Sequence, residues 1–139
     1  MKSLLNNRTK ILLVAACFAL SIYGFMIKLP SAFRHYDKEL HSLFYFLAAA
    51  FLNILFTNKK ITIHLLLFGI LYLFGMAIEY VQEYSNKFFH KRIHGRYDIE
   101  DIQSNLKGLI AFSLLWIIYV MLWYAYKKIT IKNAVKDVE

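Results

Sequence analysis

The sequence predicts an all-α integral membrane protein, built as a bundle of four transmembrane helices. Of its 139 residues, 59% are hydrophobic and 19% are charged, whereas a soluble domain has about 45–50% apolar and about 25% charged residues. The charges are concentrated between four apolar stretches, each close to the length that crosses a bilayer core of about 30 Å. Because lipid offers no water to the backbone, each stretch must be a helix.

The predicted spans lie within one domain, residues 1–139, and cover residues 11–27, 40–56, 61–78 and 109–126. The second span follows the polar letters DKELH, the third follows the short turn TNKK, and the fourth follows RYDIEDIQSNLKG. Aromatic residues near the end of the fourth span are typical of a membrane interface.

The first span contains the lone cysteine, Cys17. The letters VAAC that end at Cys17 are similar to a lipoprotein cleavage box, and basic residues precede them. However, the apolar run before Cys17 is short for a signal peptide, and the following letters FALSIYGFMI stay apolar. We therefore expect an uncleaved helix, and a single thiol excludes a disulfide within the chain.

Four spans place both termini on one side of the membrane, and the charges predict that this side is the cytoplasm. Nine of the 17 Lys and Arg residues lie on the side of the termini, where only two of the nine Asp and Glu residues accompany them. Residues 127–139 form a basic tail, which we expect to be cytoplasmic and either disordered or lying on the surface. The net charge of +8 fits a role in topology and in contact with anionic lipids, and we expect no nucleic-acid partner.

Polar residues stand at three helix ends that this topology brings to the same face of the membrane. They recur at helical spacing, so that each set forms one stripe. The stripes are Asp37, His41 and Tyr45 in helix 2, Glu79, Gln82 and Glu83 in helix 3, and Asp98, Asp101, Asn105 and Gly108 in helix 4.

Two interpretations of these stripes remain open. Asp98 and Asp101 are suited to capping the N-terminus of helix 4, and a single interfacial histidine needs no ligand. Alternatively the groups share one polar pocket, since ionisable residues within spans often serve function. We expect His64, at the start of helix 3, and the loop histidines His90 and His94 to contact the surface or lipid headgroups.

The segments DKELH, EYVQ and RYDIEDIQSNLKG together resemble the VanZ-like family of small bacterial membrane proteins. In that family a Lys and a His open one span, E-x-x-Q closes the next, and an Arg, two Asp, an Asn and a Gly lead into the last. The matching positions are Lys38, His41, Glu79, Gln82, Arg96, Asp98, Asp101, Asn105 and Gly108. The link before Arg96 is longer than in the family, so Arg92 is an alternative match, and Phe112 stands where a second glycine is expected. The resemblance implies a bacterial cytoplasmic-membrane protein whose site faces outward, in a family linked to teicoplanin resistance.

Three functions are compatible with this sequence. The first is an accessory protein of the cell envelope whose partners are membrane lipids and a lipid-linked precursor, another amphiphile or a membrane protein. Lys38 and Arg96 would then hold a phosphate or carboxylate, and Gln82 and Asn105 would supply neutral hydrogen bonds. Asp98 belongs to the same set of ligand-binding residues.

The second function is an intramembrane enzyme acting on a lipid headgroup, with Glu79 or Asp101 as general base and His41 as acid. No resident cofactor is expected, although a divalent cation held by Asp98 and Asp101 is a variant of this hypothesis. The third function is a structural subunit of a membrane complex. Under each of them, Gly108 permits close contact between helices.

Overall fold

The computed structural model describes residues 5–26, 35–57, 59–91 and 97–136, with side chains up to residue 133. These residues form four helices: α1 (Asn7–Met26), α2 (Asp37–Phe56), α3 (Ile61–Phe88) and α4 (Ile99–Lys136). All four are long and apolar enough to cross a membrane. The prediction of an all-α protein with four membrane-spanning helices is confirmed to this extent.

The helices are longer than the apolar stretches that predicted them. Helix α3 continues beyond residue 78 to Phe88, and α4 begins at Ile99, well before residue 109. These added turns carry the polar stripes, whose side chains find partners on neighbouring helices and therefore do not end the helix. At the other end, α4 runs on through the basic tail to Lys136, and residues 127–133 of this part are exposed. At 1.5 Å per residue, its 38 residues extend about 57 Å, well beyond a bilayer core of about 30 Å.

Helix α2 lies at the centre of the bundle and packs most extensively against α4 and then against α3. The apolar core consists of Tyr45, Ala49, Leu52, Leu67, Leu71 and Leu109. Helix α1 has no buried residue and contacts the bundle from its edge. Its ring contacts include Phe18 against Phe74 and Phe25 against Phe44, each with centroids 4.8 Å apart.

The backbones of α2 and α4 touch at Gly108. A Cβ atom at this position would overlap the carbonyl oxygen of Ser42 and lie 2.9 Å from its carbonyl carbon. The hydroxyl of Ser42 donates a hydrogen bond of 2.8 Å to the carbonyl oxygen of Ser104, one turn earlier on α4. The absence of a side chain at Gly108 therefore fixes how closely these two helices approach.

The outward faces of the helices are strongly apolar. Along α2, the exposed residues include Leu43, Leu47 and Ile54, the last with 84% of its surface accessible. Water would not tolerate so much exposed apolar surface on a soluble monomer, whereas lipid solvates it. The chain is thus a multi-pass membrane protein.

Candidate functional site

Seven ionisable residues and one asparagine gather at one end of the bundle, where α2 begins, α3 ends and α4 begins. We call this group the mouth cluster. Its outer members are partly exposed, and its inner members are buried between the three helices. The cluster consists of Asp37, Lys38, His41, Glu79, Asp98, Glu100, Asp101 and Asn105.

Lys38 joins α2 to the start of α4. Its ammonium lies 2.8 Å from Oδ2 of Asp98, 2.9 Å from Oδ1 of Asp101 and 3.1 Å from Oε2 of Glu100. An ammonium group has three N–H donors, so these carboxylates match its donors in number. The anions that Lys38 binds in this structure are thus the protein's own, and an anionic ligand would have to compete with them.

Asp98 caps α4 and binds Lys38 at the same time. Its Oδ1 accepts a 2.8 Å hydrogen bond from the backbone N–H of Glu100, as an N-cap residue does, while Oδ2 faces the ammonium. The hydrogen bond from Lys38 holds the pKa of Asp98 below its ordinary value. Asp98 is therefore both the N-cap of α4 and a member of the mouth cluster.

Glu79 is the most deeply buried acid of the cluster, with 1% of its surface exposed. It lies at the level where the apolar part of α3 ends, and its Oε2 accepts a 3.1 Å hydrogen bond from the backbone N–H of Asp98. A buried carboxyl group requires such partners, since an unpaired one is costly. This hydrogen bond ties the end of α3 to the start of α4.

His41 and Asn105 form a buried pair between α2 and α4. Nδ1 of His41 lies 2.9 Å from Oδ1 of Asn105, and both residues are less than 9% exposed. On its other side, Nε2 of His41 lies 3.9 Å from Oδ1 of Asp37, one turn earlier on α2. This pair explains how an amide is accommodated well inside α4.

Below this pair, the side chains of Tyr45 and Asn105 close over Gly75 of α3. A Cβ at Gly75 would lie 2.7 Å from Nδ2 of Asn105 and 2.9 Å from the hydroxyl of Tyr45. Among the described residues, the Tyr45 hydroxyl is the buried side-chain polar atom without a hydrogen-bond partner. The inner wall of the cluster thus presents one donor that the protein itself does not use.

Two of the residues predicted from sequence are placed differently from the rest. Gln82 is buried, but its Nε2 donates a 2.8 Å hydrogen bond to the carbonyl oxygen of Phe25 and so links α3 to α1. Arg96 and its alternative Arg92 lie outside the described residues. The arginine of the sequence motif therefore has no structural assignment.

A cation between Asp98 and Asp101 would have to displace the Lys38 ammonium, which binds both carboxylates. The structure instead groups potential ligand atoms of Asp37, His41 and Asp101 within 4.8 Å of one another. If a metal ion binds this end of the bundle, its ligand set differs from the one that the sequence suggested.

The other end of α2 holds a second polar cluster: Asn53, Thr57, His64 and Ser113. Nδ1 of His64 lies 2.8 Å from Oδ1 of Asn53, which also accepts a 2.6 Å hydrogen bond from the hydroxyl of Thr57. Nε2 of His64 lies 3.1 Å from Oγ of Ser113. The imidazole stacks on Trp116, with centroids 4.1 Å apart and the ring planes at 2°.

The expectation that His64 contacts the surface or headgroups is therefore wrong, since only 3% of this residue is exposed. The partners of its ring come from α2 and α4, and together they draw it into the bundle. A sequence signal was present in Asn53, a polar residue inside the apolar letters AAAFLNILF. Such an amide in lipid requires a partner.

Comparison with known proteins adds no relative to this description: no protein-family model, curated protein or solved structure matches the chain.

Proposed function

We propose that this protein is a bacterial cytoplasmic-membrane protein whose mouth cluster binds the headgroup of an amphiphilic or lipid-linked molecule. The observation that carries the proposal is the gradient of burial across the cluster. Asp98 and Glu100 have 43% and 69% of their side-chain surfaces exposed, whereas Glu79 and Asp101 are buried behind them. A headgroup can reach the outer acids from the membrane surface, and the inner groups hold those acids in place.

The charge balance selects the kind of headgroup. The described part of the cluster contains one lysine and the five carboxyl groups of Asp37, Glu79, Asp98, Glu100 and Asp101. Its lysine is already bound to three of them. This excess of acid favours a headgroup that carries an amine or other hydrogen-bond donors over one that carries only negative charge.

The family resemblance of the helix ends supports the compartment and the orientation that we propose. Both termini would be cytoplasmic and the mouth cluster would face outward. A cysteine introduced at Lys132, in a Cys17→Ala background, should resist a membrane-impermeant thiol reagent in intact cells and react after the cells are broken. Labelling in intact cells would reverse the proposed orientation.

The binding proposal is tested by native mass spectrometry of the detergent-solubilised protein. Phosphatidylethanolamine, whose headgroup carries an amine, and phosphatidylglycerol, which lacks one, are offered in equal amounts. We expect phosphatidylethanolamine adducts to dominate, and the preference to fall in the double variant Asp98→Asn/Glu100→Gln. Glu39→Gln is the matched control, because it removes an exposed acid from the first turn of α2 outside the cluster. Equal binding of the two lipids, or an equal loss in the control, would refute the proposal.

A second candidate function, modification of the headgroup, is favoured by the burial of Glu79. A carboxyl group with 1% exposure beside other acids is suited to accept a proton from a bound substrate. The hydrogen bonds of Glu79 and His41 run to different partners, so an acid–base pair would form only around a substrate. Lipid extracts of cells that express the wild type or Glu79→Gln separate these functions. An altered headgroup that disappears with Glu79→Gln indicates an enzyme, and identical extracts indicate binding alone.

A further inference from the structure

Three side chains of the mouth cluster bring potential metal-ligand atoms close together. Asp37 and His41 lie one turn apart on α2, so their side chains face the same way, and Asp101 approaches them from α4. Their potential ligand atoms all lie within 4.8 Å of one another. His41 and Asp101 are buried and Asp37 is partly exposed.

The hydrogen bond of His41 determines which ring nitrogen is available. Oδ1 of Asn105 is a carbonyl oxygen and only accepts hydrogen bonds, so Nδ1 of His41, 2.9 Å away, carries the proton. In the neutral ring, Nε2 then presents its lone pair towards Oδ1 of Asp37 at 3.9 Å. A cation placed between them would be attracted by both the lone pair and the carboxylate. Metal-binding histidines are oriented in this way, with the distal N–H donated to a carbonyl or carboxylate.

We propose that Asp37, His41 and Asp101 bind a first-row divalent cation, of which Zn²⁺ is the best match to two carboxylates and an imidazole. Zinc bonds of about 2.0–2.2 Å place tetrahedral ligand atoms about 3.3 Å apart. Nε2 of His41 and Oδ1 of Asp37 are 3.9 Å apart, and the potential ligand atoms of all three residues lie within 4.8 Å of one another, so the three side chains would have to draw together around the ion. Lys38 binds Oδ1 of Asp101, and a carboxylate has a second oxygen to offer.

The local charge favours a divalent ion. The described residues of the cluster include five carboxyl groups and one lysine, and that lysine contacts three of the five.

Three protein ligands leave a fourth position of a zinc ion open. Because Asp37 belongs to the partly exposed rim, this position would be accessible to water or to an oxygen atom of a headgroup. This inference deepens the proposed function. It rests on that function only in placing a headgroup oxygen at the open position of the metal. Binding of the metal itself requires no lipid.

The test uses untagged full-length protein in detergent, stripped with a chelator and titrated with Zn²⁺ alone by calorimetry, with bound metal counted by elemental analysis. We expect one ion per chain. Asp37→Asn and His41→Gln should each weaken binding at least tenfold, and Asn105→Ala, which removes the orienting acceptor, should weaken it about 10–100-fold. Glu39→Gln, in the same turn of α2 as Asp37, should bind like the wild type.

The absence of stoichiometric zinc would overturn the inference, as would equal affinities in Asp37→Asn and Glu39→Gln. Thermal unfolding of each variant in the presence of chelator shows whether weaker zinc binding merely reflects a loss of folding. Asp37→Asn is the decisive variant for the metal site, because it changes a partly exposed residue and should leave the fold intact. The lipid competition repeated in chelator keeps the two proposals apart. Lipid preference without zinc binding refutes only the metal site, and zinc binding without lipid preference refutes only the headgroup proposal.

Discussion

Replacing Gly108 with alanine tests whether close contact of α2 and α4 positions the mouth cluster. The new Cβ would overlap the carbonyl oxygen of Ser42 and lie 2.9 Å from its carbonyl carbon and 3.1 Å from the backbone nitrogen of Phe46. These are backbone atoms in the middle of a helix, so no side-chain rotation relieves the overlap and the helices must move apart. Overpacking costs about 1–3 kcal/mol, and a collision with backbone belongs at the upper end, about 3 kcal/mol.

The matched control is Gly69→Ala on α3, where a Cβ would meet nothing within 4 Å. Alanine is the better helix former, so we expect Gly69→Ala to equal or slightly exceed the wild type in stability. The assay is reversible unfolding in mixed micelles of mild detergent and sodium dodecyl sulfate, followed by circular dichroism. If Gly108→Ala unfolds at the same detergent ratio as Gly69→Ala, the argument from backbone contact is refuted.

Three smaller effects should follow from the same contacts. Gly75→Ala should destabilise by about 1 kcal/mol, less than Gly108→Ala, because the atoms it meets belong to side chains and not to backbone. His64→Ala should cost about 1–3 kcal/mol in the same micelle assay, since it leaves buried hydrogen-bond partners unsatisfied and removes the ring stacked on Trp116. The depressed pKa of Asp98 stabilises the fold above the ordinary pKa of about 4. That contribution is lost as the pH falls through the lowered pKa. In Asp98→Asn, the free energy of unfolding should therefore fall less steeply at acid pH, which is the acid limb of its pH dependence.

Each of these predictions has its own contrary result. A loss in Gly75→Ala as large as in Gly108→Ala would show that the side chains over Gly75 cannot yield. Wild-type stability of His64→Ala would mean that the second polar cluster is not a packing element. An unchanged acid limb in Asp98→Asn, with Glu39→Gln as the control for a lost acid, would show that the Lys38 contact does not contribute to stability.

The number of helices and the end of the bundle where polar groups gather could be predicted from sequence. The reason is physical: lipid forces each apolar stretch into a helix, and the alternation of spans decides which helix ends meet. The true ends of α3 and α4 could not be predicted in this way. Residues such as Glu79 and Asp101 reduce the apolar signal, but in the structure Glu79 accepts a hydrogen bond from the backbone of Asp98 and Asp101 accepts one from Lys38. Helices α3 and α4 therefore include them.

The sequence pattern could not predict which partner each polar side chain contacts. The hypothesis of an accessory protein assigned Lys38 and Gln82 to a ligand, yet Lys38 binds three acids of the protein and Gln82 binds the backbone of α1. Which group faces which depends on helix rotation, and a stripe on one helix does not fix the rotation of its neighbours. His64 shows the same limit, because its position near a predicted span end concealed its burial.

Helix α1 contributes no buried side chain, and the buried core residues belong to α2, α3 and α4. Among the described residues, side-chain hydrogen bonds near both ends of α1 join it to the bundle: Lys10 donates to the carbonyl oxygen of Leu55 at 2.7 Å, and Gln82 donates to that of Phe25 at 2.8 Å. We therefore expect a bilayer that thickens or thins to stretch these hydrogen bonds before it disturbs the packing of α2, α3 and α4.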